Sequence, residues 1–244
     1  DTITGGDGRD NIDGGNGNDS IVAGGGNDTL TAGAGNDVVK AGEGNDAIDG
    51  SAGGNNTLWG EGGNDTITSG AGNDNIDGGA GNDTIKFAAA NLDAFDTVAA
   101  GDGTGDAIEL TTAAAIIDSD LTNVTGVEAI KSSTGIALDL TLDKEASEAG
   151  VTSVIGSTAQ DSVVFGSGFT GSASVNIGST TGNIDTVNAT NSSVALTIKA
   201  TDAGLAGAID VLTGGTTSND VLQITVGSNA FDASSITNIE TITA

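Results

Sequence analysis

The chain has no cysteine, proline, methionine, histidine or tyrosine, and its aromatic residues are five phenylalanines and one tryptophan among 244 positions. Without cysteine there is no disulfide framework and no thiolate metal site. Without histidine there is no Ser-His-Asp or Cys-His chemistry and no zinc site of the H-E-x-x-H kind. Paired carboxylates could hydrolyse a glycoside, but so few aromatics leave no platforms for a sugar to stack on, and the chain is read as carrying no catalytic residues. Basic residues are scarce too: 6 against 34 acidic ones, a net charge of −28. That balance argues against nucleic acid and anionic membrane as partners and leaves cations as the natural ones. No stretch approaches the roughly 20 apolar residues of a transmembrane helix.

What is present is glycine, 41 residues of it, arranged in a repeat. From Gly5 the chain falls into "GGDGRDNID", "GGNGNDSIV", "AGGGNDTLT", "AGAGNDVVK", "AGEGNDAID", the ten-residue "GSAGGNNTLW", "GEGGNDTIT", "SGAGNDNID" and "GGAGNDTIK". The eighth positions, allowing for the insertion, are Ile12, Ile21, Leu30, Val39, Ile48, Leu58, Ile67, Ile76 and Ile85. Aliphatic residues flanked by polar or small ones are the alternation of a three-residue strand with one side chain inward. The first six positions are too rich in glycine for a strand. They permit positive φ and tight turns, with carbonyls free to face a ligand, those of Gly8, Gly17, Gly26, Gly35, Gly44, Gly63, Gly72 and Gly81 being the candidates.

The sixth positions carry the charge: Asp10, Asp19, Asp28, Asp37, Asp46, then Asn56, then Asp65, Asp74 and Asp83. Stacking a carboxylate on each turn of a coil is unfavourable unless a cation lies between them. Carboxylate and carbonyl oxygens with no nitrogen or sulfur donor select calcium, and magnesium less because it resists dehydration. These units resemble the GGxGxDxUx nonapeptide of the RTX, hemolysin-type, calcium-binding family. The resemblance implies a parallel β-roll in which two units make one coil and calcium lies between a loop and the loop one coil further on. Carried over, it pairs Asp10 with Asp28, Asp19 with Asp37, Asp28 with Asp46, Asp37 with Asn56, Asp46 with Asp65, Asn56 with Asp74 and Asp65 with Asp83, about seven interior sites. Residues 1–86 have a net charge of −12, which seven calcium ions bring close to neutral. With calcium ~10-fold above each dissociation constant, linkage supplies roughly 1.4 kcal/mol per site and about 10 kcal/mol in all, the whole stability of an ordinary domain. The segment is therefore expected to fold only on binding calcium.

The expected organisation is all-β: a calcium-binding β-roll over 1–86, a cap over 87–110, and an Ala/Thr/Val-rich domain over 111–244. In the cap, Phe87 and Phe95 are expected to seal the apolar end. Asp96, Asp102 and Asp106 read first as turn residues, with a last calcium site as the alternative. The third segment has short alternating runs such as "IALDLTL" and "VALTIKA", read as a longer-runged parallel β-solenoid, with a β-sandwich as the competing layout. Residues 105–130 and 219–242 echo one another, each ending in N-[VI]-E-x-I or its "NVTGVEAI" variant, and Asp185 and Asp220 are weak extra ligand candidates.

The combination also resembles, in texture, bacterial surface-layer proteins and large secreted adhesins. That likeness implies a calcium-dependent extracellular structural protein at the bacterial cell surface, secreted by the type I route and associating with itself into a lattice. The alternative is a calcium-stiffened adhesin segment binding cell-surface glycan or protein. The ten-residue unit is expected to absorb its extra residue in the loop, leaving Trp59 outward as a bystander or a weak assembly contact.

Overall fold

In a computed structural model of the chain, residues 1–177, 185–193, 195–201, 211–216, 219–225 and 236–243 are described. They form two compact units, Asp1–Glu109 with Asp120–Glu128 and Leu110–Ser119 with Ala129–Ala244. Each is a solenoid of parallel strands.

In the first unit one face is built from Thr2–Asp7, Ser20–Gly25, Val38–Glu43, Thr57–Gly62, Asn75–Asp77, Thr97–Ala99 and Val124–Thr125, hydrogen-bonded in that order. The opposite face carries Asn11–Asp13, Thr29–Thr31, Ala47–Asp49, Thr66–Thr68, Thr84–Phe87 and Ala107–Leu110. Every second nonapeptide returns to the same face, so equivalent residues stack: Ile3 beside Ile21, Ile21 beside Val39, Val39 beside Leu58, Leu58 beside Ile76 and Ile76 beside Val98. The aliphatic column is the core, and every eighth-position residue from Ile12 to Ile85 is buried. Burying such a side chain stabilises by roughly 1.5–3 kcal/mol. Asp1–Thr4, ahead of the first full unit, falls on the phase of a further unit, since Thr2 pairs with Ser20.

The roll's later coils depart from one expectation. Phe87 and Leu92 are buried, but Phe95 is 72% exposed and does not seal the core. Asp93 turns the chain there: its Oδ1 accepts from the Phe95 amide at 2.8 Å, and its own amide donates to Asp96 Oδ2 at 3.0 Å. This tight turn points residue 95 outward.

In the second unit one face runs Ala115–Ile116, Asp139–Leu142, Ser162–Phe165, Thr186–Asn188, Val211–Thr213, Ile236–Thr237. The other runs Ala129–Ser132, Ser153–Ile155, Ala173–Asn176, Leu196–Thr201, Val221–Thr225, Thr241–Thr243. All described pairs are parallel, which displaces the sandwich, an antiparallel architecture. The core stacks Leu140, Val163, Val187 and Leu212 on one side and Ile130, Val154, Val175, Ile198 and Leu222 on the other. Phe165 and Phe169 meet edge to face, ring centroids 5.1 Å apart. The "KEASEA" stretch forms a short helix, Lys144–Ala149, closed by Gly150 at φ 101°. Residues 226–235, the middle of the C-terminal echo, lie outside the described residues.

Candidate metal centre

The loops on the two edges of the roll carry the sixth-position side chains in two columns. One runs Asp10, Asp28, Asp46, Asp65, Asp83; the other runs Asp19, Asp37, Asn56, Asp74. Within each column the backbone amide of one residue donates to Oδ1 of the next: Asp10 to Asp28 at 2.8 Å, Asp28 to Asp46 at 2.7 Å, Asp46 to Asp65 at 2.7 Å, Asp65 to Asp83 at 2.7 Å. On the other edge Asp19 donates to Asp37 at 2.8 Å, Asp37 to Asn56 at 2.9 Å and Asn56 to Asp74 at 2.8 Å. From Asp19 to Asp83 all of these side chains are buried. Buried backbone amides need partners, and the carboxylates provide them where the strand ladder has ended.

One oxygen of each carboxylate is thereby used, and the two columns differ in the other. On the first edge Oδ2 of Asp10, Asp28, Asp46, Asp65 and Asp83 is buried with no hydrogen-bond partner. On the second edge the same holds for Asp19 and Asp37. Beyond them the protein supplies partners: Asn56 Nδ2 donates to the Gly50 carbonyl at 3.4 Å, and the Ser69 hydroxyl donates to Asp74 Oδ2. A buried carboxylate oxygen without a donor is costly. Burial accordingly pushes Asp65 up to about 7, helped by the charges of Asp46 and Asp83 and opposed by the Asp46 amide. Burial likewise raises Asp46 and Asp83 above the ordinary carboxylate range. The donor set fits a hard divalent cation, which would replace the missing donor at each oxygen. Among the described residues no three acidic side chains gather into one cluster, so a cation held here must draw the rest of its shell from backbone carbonyls.

The candidate carbonyls belong to a closely stacked glycine backbone. Gly44 has φ 138°, and a Cβ on it would fall on the carbonyl of Gly26 one coil away. Gly8, Gly17, Gly26, Gly35, Gly63, Gly72 and Gly81 share the left-handed conformation. The fifth position is asparagine, an uncharged residue, in eight of nine units. The Asn36 amide donates to Asn18 Oδ1 at 2.9 Å, Asn45 to Asn27 at 2.9 Å, Asn64 to Asn45 at 2.7 Å and Asn82 to Asn64 at 2.7 Å. These bonds run from the later coil to the earlier, opposite to those of the aspartates, so adjacent positions clamp each coil from both sides. The "ND" dipeptide, present in seven of the nine units, is the available signal.

The ten-residue unit takes up its extra residue in a turn in which the Gly53 amide donates to the Gly50 carbonyl at 3.3 Å, and Leu58 stays fully buried. Trp59 stands on the outer face between Lys40 and Asp77 of the neighbouring coils. Lys40 Nζ lies 4.7 Å from its ring centroid, a cation–π contact, and Trp59 is half-buried.

Both columns outrun the repeats. The Asp74 amide donates to Asp96 Oδ1 at 2.9 Å and the Asp83 amide to Asp106 Oδ1 at 2.7 Å, so Asp96 and Asp106 are rungs of the ladder, whereas Asp102 is exposed. The Asp106 amide in turn donates to Glu128 Oε2 at 2.9 Å. The second unit has the same arrangement: the Leu196 amide donates to Asp220 Oδ1 at 2.8 Å and the Asp220 amide to Glu240 Oε2 at 2.7 Å. The sequence echo thus has a physical basis, a ladder in which a glutamate follows an aspartate one coil on. Asp185 is buried and accepts the Asp161 amide at 2.8 Å.

Comparison with curated proteins and with solved structures found no match. A family model, the RTX calcium-binding nonapeptide repeat (4 copies), matches residues 1–30, 22–54 and 52–85. Among the described residues no helix is long and apolar enough to cross a membrane. Together with the coil register and the aspartate columns, that match identifies residues 1–85 as a calcium-binding roll of the RTX nonapeptide repeat family.

Proposed function

We propose that the chain is an extracellular structural segment whose roll folds when calcium enters between its coils and which then associates with itself into a bacterial surface layer. The observation that carries this reading is the column Asp10, Asp28, Asp46, Asp65 and Asp83, in which each carboxylate keeps one buried oxygen without a donor. A row of such groups resists folding in low calcium and favours it where calcium is abundant. Modules of this kind act at roughly 0.1–1 mM calcium, so the same chain can leave a calcium-poor cytosol unfolded, by the type I route, and fold outside. About seven ions match the interior pairs. The first edge keeps its unpartnered oxygens throughout, while the second gives the coil of Asn56 and Asp74 internal partners, so the weakest binding falls there.

For assembly, Trp59 is the contact residue. Its face also presents Val22 and Val38, 41% and 38% exposed, a modest apolar strip on an otherwise acidic molecule. Negative-stain microscopy of the purified chain in millimolar calcium tests the lattice. Two-dimensional sheets are expected, and Trp59→Ala should weaken them. Monodisperse rods under the same conditions point instead to an adhesin segment that binds glycan or protein, and sheets unaffected by Trp59→Ala remove that residue from the contact.

A further inference from the structure

Asp161, in the second unit and outside the matched repeats, reproduces the surroundings of Asp10, Asp65 and Asp83. Its Oδ1 accepts from the Leu138 amide at 2.8 Å, and its own amide donates to Asp185 Oδ1 at 2.8 Å, 24 residues on. The side chain is 1% exposed, and Oδ2 has no hydrogen-bond partner. Gly156, five residues earlier, packs its backbone against that oxygen so closely that a Cβ would collide with it. Gly5 does the same to Asp10, Gly60 to Asp65 and Gly78 to Asp83. At each of these glycines a carbonyl of the neighbouring coil is the other near atom: Ala23, Gly78 and Ala100 in the roll, Asn176 in the second unit.

The amide ladder accounts for one oxygen of Asp161 and leaves the other sealed from water with no donor, an unfavourable arrangement unless a positive charge completes it. The previous coil ends the column, since its position is taken by Leu138, which has no oxygen to offer. We propose that Asp161, with Asp185 one coil on, forms a calcium site in the second unit, so that calcium orders both units and not the nonapeptide roll alone. Carboxylate and carbonyl oxygens without nitrogen donors suit this cation. The proposal rests on the reading that the roll's unpartnered oxygens take calcium.

Hydrogen exchange of the full chain, followed by peptide with calcium chelated and at millimolar calcium, separates the two. Calcium should slow exchange at least tenfold in residues 133–165 as well as in residues 10–85. Asp161→Asn keeps an Oδ1 acceptor but removes the charge, and should abolish the slowing in 133–165 while residues 10–85 still respond. Asp139→Asn, at an exposed carboxylate on the adjacent strand, should respond like the unaltered chain. If the roll responds and residues 133–165 do not, or if Asp161→Asn behaves as the unaltered chain, the second-unit site is wrong and the roll reading stands. If neither segment responds, both fall. Should Asp161→Asn fail to fold, crystals of the unaltered chain grown with terbium decide: an anomalous peak beside Asp161 Oδ2 is expected, and peaks in the roll with none there overturn the site.

Discussion

The backbone amide of Asp46 donates to Oδ1 of Asp65 at 2.7 Å, and the second carboxylate oxygen of Asp65 is buried without a partner. The two oxygens of one side chain therefore have separate tasks. Oδ1 stitches one coil to the next in the folded roll. Oδ2 is a cost that a cation removes.

Asp65→Asn separates those tasks. Asparagine keeps the acceptor and loses the charge, so the calcium-free roll should gain about 1 kcal/mol, the scale of relieving one poorly satisfied buried group. Calcium affinity should fall about tenfold, or about 1.4 kcal/mol. The β content in chelator and the calcium affinity should move in opposite directions, and a loss in both would mean that the charge serves the ladder itself.

Proton binding should imitate the cation. Burial raises Asp65 to about 7 in the fold, above the ~3.9 of an unfolded aspartate. A raised folded value means that the folded state binds protons better. Its contribution is therefore fully present below about pH 4 and is lost as pH rises through about 7. Burial raises Asp46, Asp83 and Asp106 as well. In calcium-free buffer the β content of the roll should rise from pH 8 to pH 5. In calcium the trend in stability should reverse, because protons compete for the same oxygens. Circular dichroism at several pH values, with and without calcium, measures both signs.

Two glycines at the same place in the repeat should differ in tolerance. Gly8 has φ 103° and open space around a Cβ, whereas a Cβ on Gly44 meets the Gly26 carbonyl. Gly8→Ala should cost about 1 kcal/mol from backbone strain alone, and Gly44→Ala about 3 kcal/mol or more from strain and overlap together. Glu61 pairs with Gly42 and holds φ 73°, so Glu61→Gly should stabilise by about 1 kcal/mol. Calcium-saturated urea midpoints rank all three.

Trp59, the chain's only tryptophan, reports on roll folding. With Lys40 4.7 Å from its ring and the residue partly buried, its emission should shift to the blue when calcium is added. Lys40→Ala should remove part of the shift and about 0.5–1 kcal/mol of stability. Emission that does not change with calcium would place Trp59 in water in both states.

The repeat could be read directly because its side chains repeat: one aliphatic inward and one carboxylate per nine residues specify coil length, core and column. Asp96 closes the Asp93 turn and is also a rung, and Asp106 is a rung; the ladder role is hidden in the sequence because longer loops put both out of step, Asp96 lying 22 residues from its partner Asp74 where the repeat would place 18. Hydrophobicity alone marks Phe95 as a cap, but its direction is set by the Asp93 turn. The asparagine clamp is not legible in the sequence because an uncharged residue in a glycine loop looks like turn chemistry, and its role depends on what lies one coil away. In the second unit the strand spacing suggested a solenoid, but only the parallel register separates it from a sandwich. The echo between "NVTGVEAI" and "NIETI" is visible in the sequence without its cause, the glutamate that accepts from the aspartate amide one coil before it.

Far-UV circular dichroism of the chain, titrated with calcium from a chelated start at pH 7.5, tests the central claim most directly. Residues 1–85 should change from a disordered spectrum to a β spectrum, cooperatively, between roughly 0.1 and 1 mM calcium. A β spectrum of full amplitude in chelator, unchanged by calcium, would show that the unpartnered carboxylates do not oppose folding and would contradict the account.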